Sequence, residues 1–545
     1  MKTKLILFVQ ILLFKFTFGI YNSGENWAIL ACGSTGYINY RHQADVFHVY
    51  QTLIQRGFSK NHIILFAYDD IAYHKSNPFP GEIYNRPDGP NVYEGVIIDY
   101  SYNFVTPENY ISVLKGDTQN GHLKKVLNST KNDNIFLYFS DHGINGAMVF
   151  PDNKFLYADE LEETFRYMQK KEMYKNIIFY MESCYSGSMF DDINLDLNVY
   201  SITAASPHEQ SMATYCYPDD NVKGQKMHTC LSNEFTSNWL DDTDNRRFLE
   251  IKELNDIMNY SSHEQYLKIK DLTKNSHVGE YGNLNVGDLP ITFFQSSNDS
   301  FSYDDDKEKD DDKKEKSKEE IEYDEIIDRI KELDDDDDDY DEYEDEDVFN
   351  SIDNLNDELK EIIKSIDIFN EENDNYNFIN YIIDRNKFYK RQKHDEEKQI
   401  NKEVININNI KLKRAKRKSK KNNTNIPSQN VRLYYLQLEK QKNPEKIKEY
   451  EKELEETEKS KIIFQLLKMR LNIPPIIEQK KKINFECLRY SIQIFKNECN
   501  LNERDLLFIS SLSDICTIEN INLDLIKESI IDICKSFINK NDTIN

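Results

Sequence analysis

A cysteine and a histidine, each ending an apolar run and each close to a glycine, are the residues of this sequence best suited to covalent chemistry. The run NIFLYFSDHG delivers His142 and Gly143, and NIIFYMESCYSGSM delivers Cys184 ahead of a small, glycine-containing turn. A thiolate attacks a carbonyl carbon, a neighbouring imidazole handles the protons, and backbone N–H groups of the flanking turns stabilise the oxyanion. Singly, such a cysteine is more often a small buried hydrophobe and such a histidine more often structural. Together, at the ends of consecutive apolar strands, they read as a nucleophile and its base. A metal centre is the competing use, but His42, His48, His62, His74 and His142 show neither HExxH nor paired CxxC spacing, so no metal and no cofactor is expected.

The elements that must position this pair are legible as alternating strands and helices. WAILACGS (27–34), HIILFAYDD (62–70), NIFLYFSDH (134–142), NIIFYMESC (176–184) and NVYSITAA (198–205) are continuous apolar runs of buried-strand type, and DLPITFFQ (288–295) reads as a last strand. Between them, Ala44, Phe47, Tyr50 and Ile54 share one helical face before Gly57, and Leu161, Phe165 and Met168 share another after Asp159. The pattern predicts an α/β domain with a mostly parallel sheet between helices, whose reactive groups gather beyond the carboxyl ends of the strands.

The chain has 545 residues, more than one core usually organises. Residues 1–20 place Lys2 and Lys4 before a short apolar run interrupted by Lys15, which reads as a signal peptide rather than a membrane span. An oxidising secretory route permits disulfides, and the eight cysteines fall into two groups of four. Cys32, Cys184, Cys216 and Cys230 lie in the first half, and Cys487, Cys499, Cys516 and Cys534 near the C-terminus. The net charge of −27 is concentrated in an acidic tract from Asp304 to Asp347, read as a solvated linker, and a secreted chain is not expected to bind nucleic acid. The Lys-rich run from Lys411 to Lys421 is read the same way. Ile352, Leu355, Leu359, Ile362, Ile363 and Ile366, and segments after Pro444, follow helical spacing. The expected organisation is therefore a leader at 1–20, an α/β domain at 25–297, an acidic linker at 298–349, a charged helical insert at 350–470 and a cysteine-bearing helical tail at 471–545.

NYRHQAD (39–45), YDDIAY (68–73), NPFPGEIYNRPDGPNVYEGV (77–96), SDHG and ESCYSGSM, in this order, resemble the legumain or asparaginyl endopeptidase family (peptidase family C13). The resemblance runs from about Asn26 to about Phe294 and implies a caspase-like fold carrying a Cys–His pair assisted by an asparagine, here Cys184, His142 and Asn39. It implies cleavage of peptide bonds after Asn, and after Asp at acid pH. Arg41, His42 and Glu182 would occupy the specificity pocket, with Ser211 on its wall. A guanidinium meets the oxygen of a substrate asparagine amide while a carboxylate meets its nitrogen. Two positions depart from the family pattern. Its adjacent serines are Gln210 and Ser211, and its later acidic residue is Asn233, followed by Glu234. The change at Asn233 leaves three readings: weakened acceptance of asparagine, substitution by Glu234, or a hydrogen bond still accepted by Asn233.

The same resemblance implies bridges Cys216–Cys230, Cys487–Cys516 and Cys499–Cys534, the alternatives being free thiols in the first case and two other pairings in the second group. It implies that the helical tail is a prodomain covering the cleft as an inhibitor and released in acid, in a lysosome or vacuole or outside the cell, with Asn298 the candidate activation cleavage position. Protein and peptide substrates are the expected partners. Two other function classes fit the scaffold: transamidation or peptide ligation, in which an amine captures the acyl group, and a secreted binding protein without turnover. Transamidation of the GPI-anchoring kind is expected to come with a C-terminal membrane span, and the sequence has none.

Overall fold

Apolar residues run almost without interruption along each central strand because both faces of the sheet are covered, and successive side chains enter two different cores. The computed structural model describes residues 24–119, 125–246, 260–296, 425–440, 445–471, 482–499, 502–518 and 521–541. The expected leader, Asn298, the acidic linker, the helical pattern at Ile352–Ile366 and the Lys-rich run lie outside these residues.

Strands β1 (Asn26–Cys32), β2 (Ile63–Phe66), β3 (Asn134–Ser140), β7 (Asn176–Glu182) and β8 (Val199–Thr203) pair in parallel, and β13 (Gly279–Gly282) closes one edge antiparallel to β8. The order across the sheet is β13-β8-β7-β3-β1-β2. Helices α1 (Tyr40–Gln55), α4 (Glu234–Arg246) and α5 (Ser262–Leu272) cover the face bearing Ala28, Leu30, Phe136, Tyr138 and Tyr180. Helices α2 (Pro107–Leu114) and α3 (Ala158–Lys170) cover the face bearing Ile29, Ala31, Leu137, Phe139 and Phe179. Helix α2 starts where Thr106 accepts a hydrogen bond from the Asn109 N–H and Pro107 occupies the first turn, where its missing N–H costs nothing. The expected strand at 288–295 is instead a helical turn at Thr292–Gln295, with Phe294 buried. Pro290 cannot donate to a ladder, and the sheet edge is taken by β13, whose GEYG sequence carries no apolar alternation.

A second sheet of β4 (Gly143–Ile144), β5 (Ala147–Phe150) and β6 (Lys154–Tyr157) follows His142. Next come β9 (Met212–Thr214), a small hairpin of β10 (Asn221–Val222) and β11 (Gln225–Lys226), and β12 (Ser232–Asn233). The loop after β9 is tied by Cys216–Cys230, one of three bridges the structure forms, with Cys487–Cys516 and Cys499–Cys534, the pairings the resemblance implies. Closing so short a loop contributes on the order of 3 kcal/mol. Replacing Cys216 and Cys230 together by serine is expected to cost about that amount in chemical denaturation, and a loss below about 1 kcal/mol would show that packing alone holds the loop.

The C-terminal residues form β14 (Ile426–Pro427), α6 (Val431–Lys440), α7 (Glu445–Arg470), α8 (Phe485–Cys499), α9 (Leu506–Ile515) and α10 (Leu523–Asn541). A division was expected at 470/471. In the structure Ile463, Phe464 and Leu467 of α7 share one core with Leu488, Ile509 and Ile530, and Ile144, Ala147 and Val149 of the second sheet join it. Ser513 Oγ donates to the Asn145 carbonyl at 2.6 Å, and Arg489 pairs with Asp159 at 2.5 Å across the same face.

Candidate active site

Because β3 and β7 are paired with Ser140 opposite Glu182, His142 and Cys184 stand side by side, each two residues past the matched pair at the carboxyl end of the sheet. The Asp141 N–H donates to the Glu182 carbonyl at 3.1 Å, extending the ladder toward them. Gly143 permits the closest approach: a Cβ there would fall 2.2 Å from the Cys184 carbonyl oxygen, so any side chain would push the two turns apart. Immediately after the cysteine, Tyr185 takes φ 58°, a left-handed turn that directs the chain sharply away.

Cys184 is buried, its Sγ 4.0 Å from Ser211 Oγ. Burial pushes its thiol up to about 12, against the hydrogen bonds of Ser211 and the charge of Arg41. His142 Nε2 lies 3.0 Å from Asn39 Oδ1 and 3.0 Å from Glu503 Oε1, while Asn39 Nδ2 donates to the same Glu503 oxygen at 2.8 Å. With Nε2 engaged, Nδ1 of His142 is buried without a hydrogen-bond partner and is the ring nitrogen left to receive a proton. His42 packs edge-on against His142, ring centres 4.9 Å apart, and its Nδ1 is 2.8 Å from Ser34 Oγ and 3.3 Å from Asp141 Oδ1. Burial drives His42 well below and Asp141 well above their ordinary values, and both shifts disfavour an ion pair at this last contact. His42, Asp141 and His142 bring one donor atom each within 4.8 Å of one another, a cluster that sequence spacing did not show.

The Arg41 guanidinium is fully buried, its Nε donating to Asn233 Oδ1 at 3.1 Å. The bond that Asn233 accepts thus comes from the protein's own arginine, and the Glu234 carboxylate is turned to Asn275 Nδ2 at 2.9 and 3.1 Å. Glu182 Oε2 accepts from the Thr236 N–H and hydroxyl at 3.1 and 3.0 Å, leaving Oε1 buried and without a partner. Gln210 Oε1 is likewise buried and unpartnered. The structure thus brings Arg41, Glu182, Ser211 and Asn233 together beside Cys184, while the contacts of His42 are with the His142 side.

The edge of β9 is occupied by the chain's own β14, antiparallel, with Ile426 opposite Ala213 and Pro427 opposite Met212. Ser428 N–H donates to the Ser211 carbonyl at 2.9 Å, and Arg41 donates to the Ser428 carbonyl at 2.9 Å and hydroxyl at 2.7 Å. Gln429 Nε2 reaches the Gly143 carbonyl at 2.8 Å. An extended segment added to a free sheet edge, with one side chain in a polar pocket, is the geometry of peptide recognition by strand addition. Glu503 closes the other side, from the turn before α9. Partial burial opposes its ionisation, but its hydrogen bond with His142, the charge of His142, its hydrogen bond with Asn39 and the charge of Arg41 outweigh this and bring the carboxyl to about 2, although half its side chain still reaches solvent. A contact held by so acidic a carboxylate persists through the range of an acidic vesicle and is lost only as pH falls through about 2.

The family model described as "Peptidase C13 family" matches residues 26–297. The chain belongs to the peptidase C13 family. Over 280 residues it is 40% identical to legumain of Homo sapiens, spanning 50% of this chain and 60% of that one. It is 40% identical to hemoglobinase of Schistosoma japonicum over 284 residues, 52% and 63% of the two chains, and 39% identical to legumain of Canavalia ensiformis over 273 residues, 48% and 56%. The chain thus spans about three-fifths of the length of the curated relatives it matches. Among solved structures, caspase-1 from Spodoptera frugiperda is similar at 8% identity and a TM-score of 0.28, over 47% of this chain and 86% of that one; the α/β assignment rests on the sheet itself.

Within this C13 site, sequence reasoning missed Asp45, Thr236, Ser428, Gln429 and Glu503. Asp45 and Thr236 stand inside recognisable motifs next to expected residues. Ser428, Gln429 and Glu503 carry no local signal, since only the docking of the C-terminal elements brings them to the cleft.

Proposed function

We propose that this chain is the closed precursor of a cysteine endopeptidase that cuts after asparagine, and after aspartate in acid, with its own C-terminal elements as inhibitor. The observation that supports it most is Ser428, whose backbone and hydroxyl occupy Ser211 and Arg41 in the way a substrate residue would. Cys184 attacks the substrate carbonyl, its proton passing to His142 Nδ1, and Asn39 holds the far side of the imidazole through Nε2. Collapse of the tetrahedral species breaks the C–N bond, the amine leaving with the proton from His142 and a thioester remaining on Cys184. Water, deprotonated by His142, then releases the acid and restores the thiol. Arg41, Glu182 and Asn233 receive the substrate side chain, with Ser211 and Gln210 on the wall. Release of the C-terminal helices opens the cleft, and Asn298, ahead of the acidic tract, is the proposed cleavage position. The place of action is the secretory pathway, in a lysosome or vacuole; no described helix is long and apolar enough to cross a membrane.

The test is hydrolysis of matched fluorogenic peptides ending in Asn, Asp, Arg or Ala by the full chain after incubation in acid. Turnover of the Asn peptide at least ~10-fold above Arg and Ala is expected, the discrimination a polar pocket achieves against side chains that leave its groups unpaired. Equal turnover of all four, or none, would remove the reading.

A further inference from the structure

One turn after Arg41 on α1, Asp45 is fully buried and surrounded by neutral donors: Ser232 Oγ at 2.6 Å, Asn233 Nδ2 at 2.7 Å, Asn85 Nδ2 at 2.8 Å and Ser140 Oγ at 3.3 Å. Arg41 offers only donors, so the Asn233 amide between it and Asp45 has one consistent orientation, oxygen toward Arg41 and nitrogen toward Asp45, whose carboxyl oxygen accepts. A carboxylate at 233 would lie against that of Asp45, and two such groups do not both ionise.

The remaining charges around Arg41 are few. Burial, then the charge of Asp45, raises Glu182 to about 8, so below that pH it carries a proton and offers an O–H as well. Burial lifts Asp45 itself to about 6, so its charge develops only above that range and reaches the cavity through Asn233. Burial disfavours the charged forms of Asp141, His42 and the Cys184 thiol, and Glu503 belongs to the C-terminal elements.

We propose that Asp45 is a positioning residue of the specificity pocket, fixing Asn233 so that the cavity presents donors and the positive charge of Arg41, and that the pocket therefore accepts an ionised aspartate side chain near neutrality as well as in acid. This rests on the peptidase reading above. Its measure is the ratio of kcat/KM for matched Asp and Asn peptides between pH 5 and pH 7, using the full chain after acid incubation. A pocket that takes only protonated aspartate loses about 100-fold over those two units, tenfold for each unit above the ordinary aspartate value. The unaltered chain is expected to lose less than about tenfold, and Asn233→Asp to restore the steep fall. Should that variant not fold, Asp45→Asn combined with Asn233→Asp keeps the total charge, places the carboxylate against Arg41 and is expected to show the same steep profile. A 100-fold fall in the unaltered chain, or a profile unmoved in the folded variants, overturns the assignment while leaving Asn cleavage, and the peptidase reading, intact. Absence of Asn cleavage at every pH overturns both.

Discussion

Cys184→Ala is expected to lower kcat/KM for an Asn peptide by on the order of 10⁴-fold or more, because no other group at the site can form the acyl intermediate. The same residue reports on closure. In the closed chain burial holds the thiol at about 12, so at pH 7.5 its thiolate is more than ~10³-fold scarcer than for a free cysteine of ordinary acidity. Alkylation of Cys184 by iodoacetamide, followed by mass spectrometry, is therefore expected to be at least ~100-fold slower in the intact chain than in acid-processed material, where β14 no longer covers it. The direction follows from the sign of the shift: a raised thiol is protonated and inert until the pH approaches its new value. Equal labelling of the two forms would mean that the C-terminal elements do not shield the cleft, and full peptide turnover by the alanine variant would move the nucleophile elsewhere.

Ser428→Asn is expected to turn the segment that pairs with β9 into a substrate. Ser428 already donates to Ser211 and accepts from Arg41, but its short side chain leaves Glu182 Oε1 without a partner. An asparagine there extends an amide toward that oxygen, and the Ser428 N–H already pairs with Ser211, whose hydroxyl lies 4.0 Å from Cys184 Sγ. Incubated in acid, the variant is expected to break after residue 428, with the unaltered chain cut there at least ~10-fold more slowly and the double variant with Cys184→Ala not at all. N-terminal sequencing of the fragments decides it. A variant that stays intact at 428 while hydrolysing an added Asn peptide would show that the segment does not present its carbonyl to the cysteine.

The central strands were readable because a parallel sheet covered on both faces demands continuous apolar runs, and 134–142 and 176–184 supply them. The strand ends carried His142 and Cys184 for the same reason: register aligns residues equally far beyond a matched pair. Reading failed where a segment's identity depended on its neighbours. GEYG is a strand only because β8 offers an edge, and DLPITFFQ is a turn because that edge is taken and Pro290 cannot donate. Residues 445–470 looked like an insert because the helical pattern shows an apolar stripe without showing what it packs against. In the structure Ile463, Phe464 and Leu467 place that stripe in the core with Leu488 and Ile530.

Sequence by itself determined the five parallel strands, two of the covering helices and the pair Cys184 and His142, because these follow from hydrophobic periodicity, while Asn39 and Arg41 came from the family resemblance. Tertiary structure decided everything that needs two distant segments to meet. It set the orientation of the Asn233 amide between Arg41 and Asp45, turned Glu234 to Asn275, shifted His42 and Asp141 away from ion pairing through burial, and seated Ser428 and Glu503 beside Arg41 and His142. Hydrogen-bond direction and protonation state are properties of an environment, and that environment exists only once the chain has closed on itself.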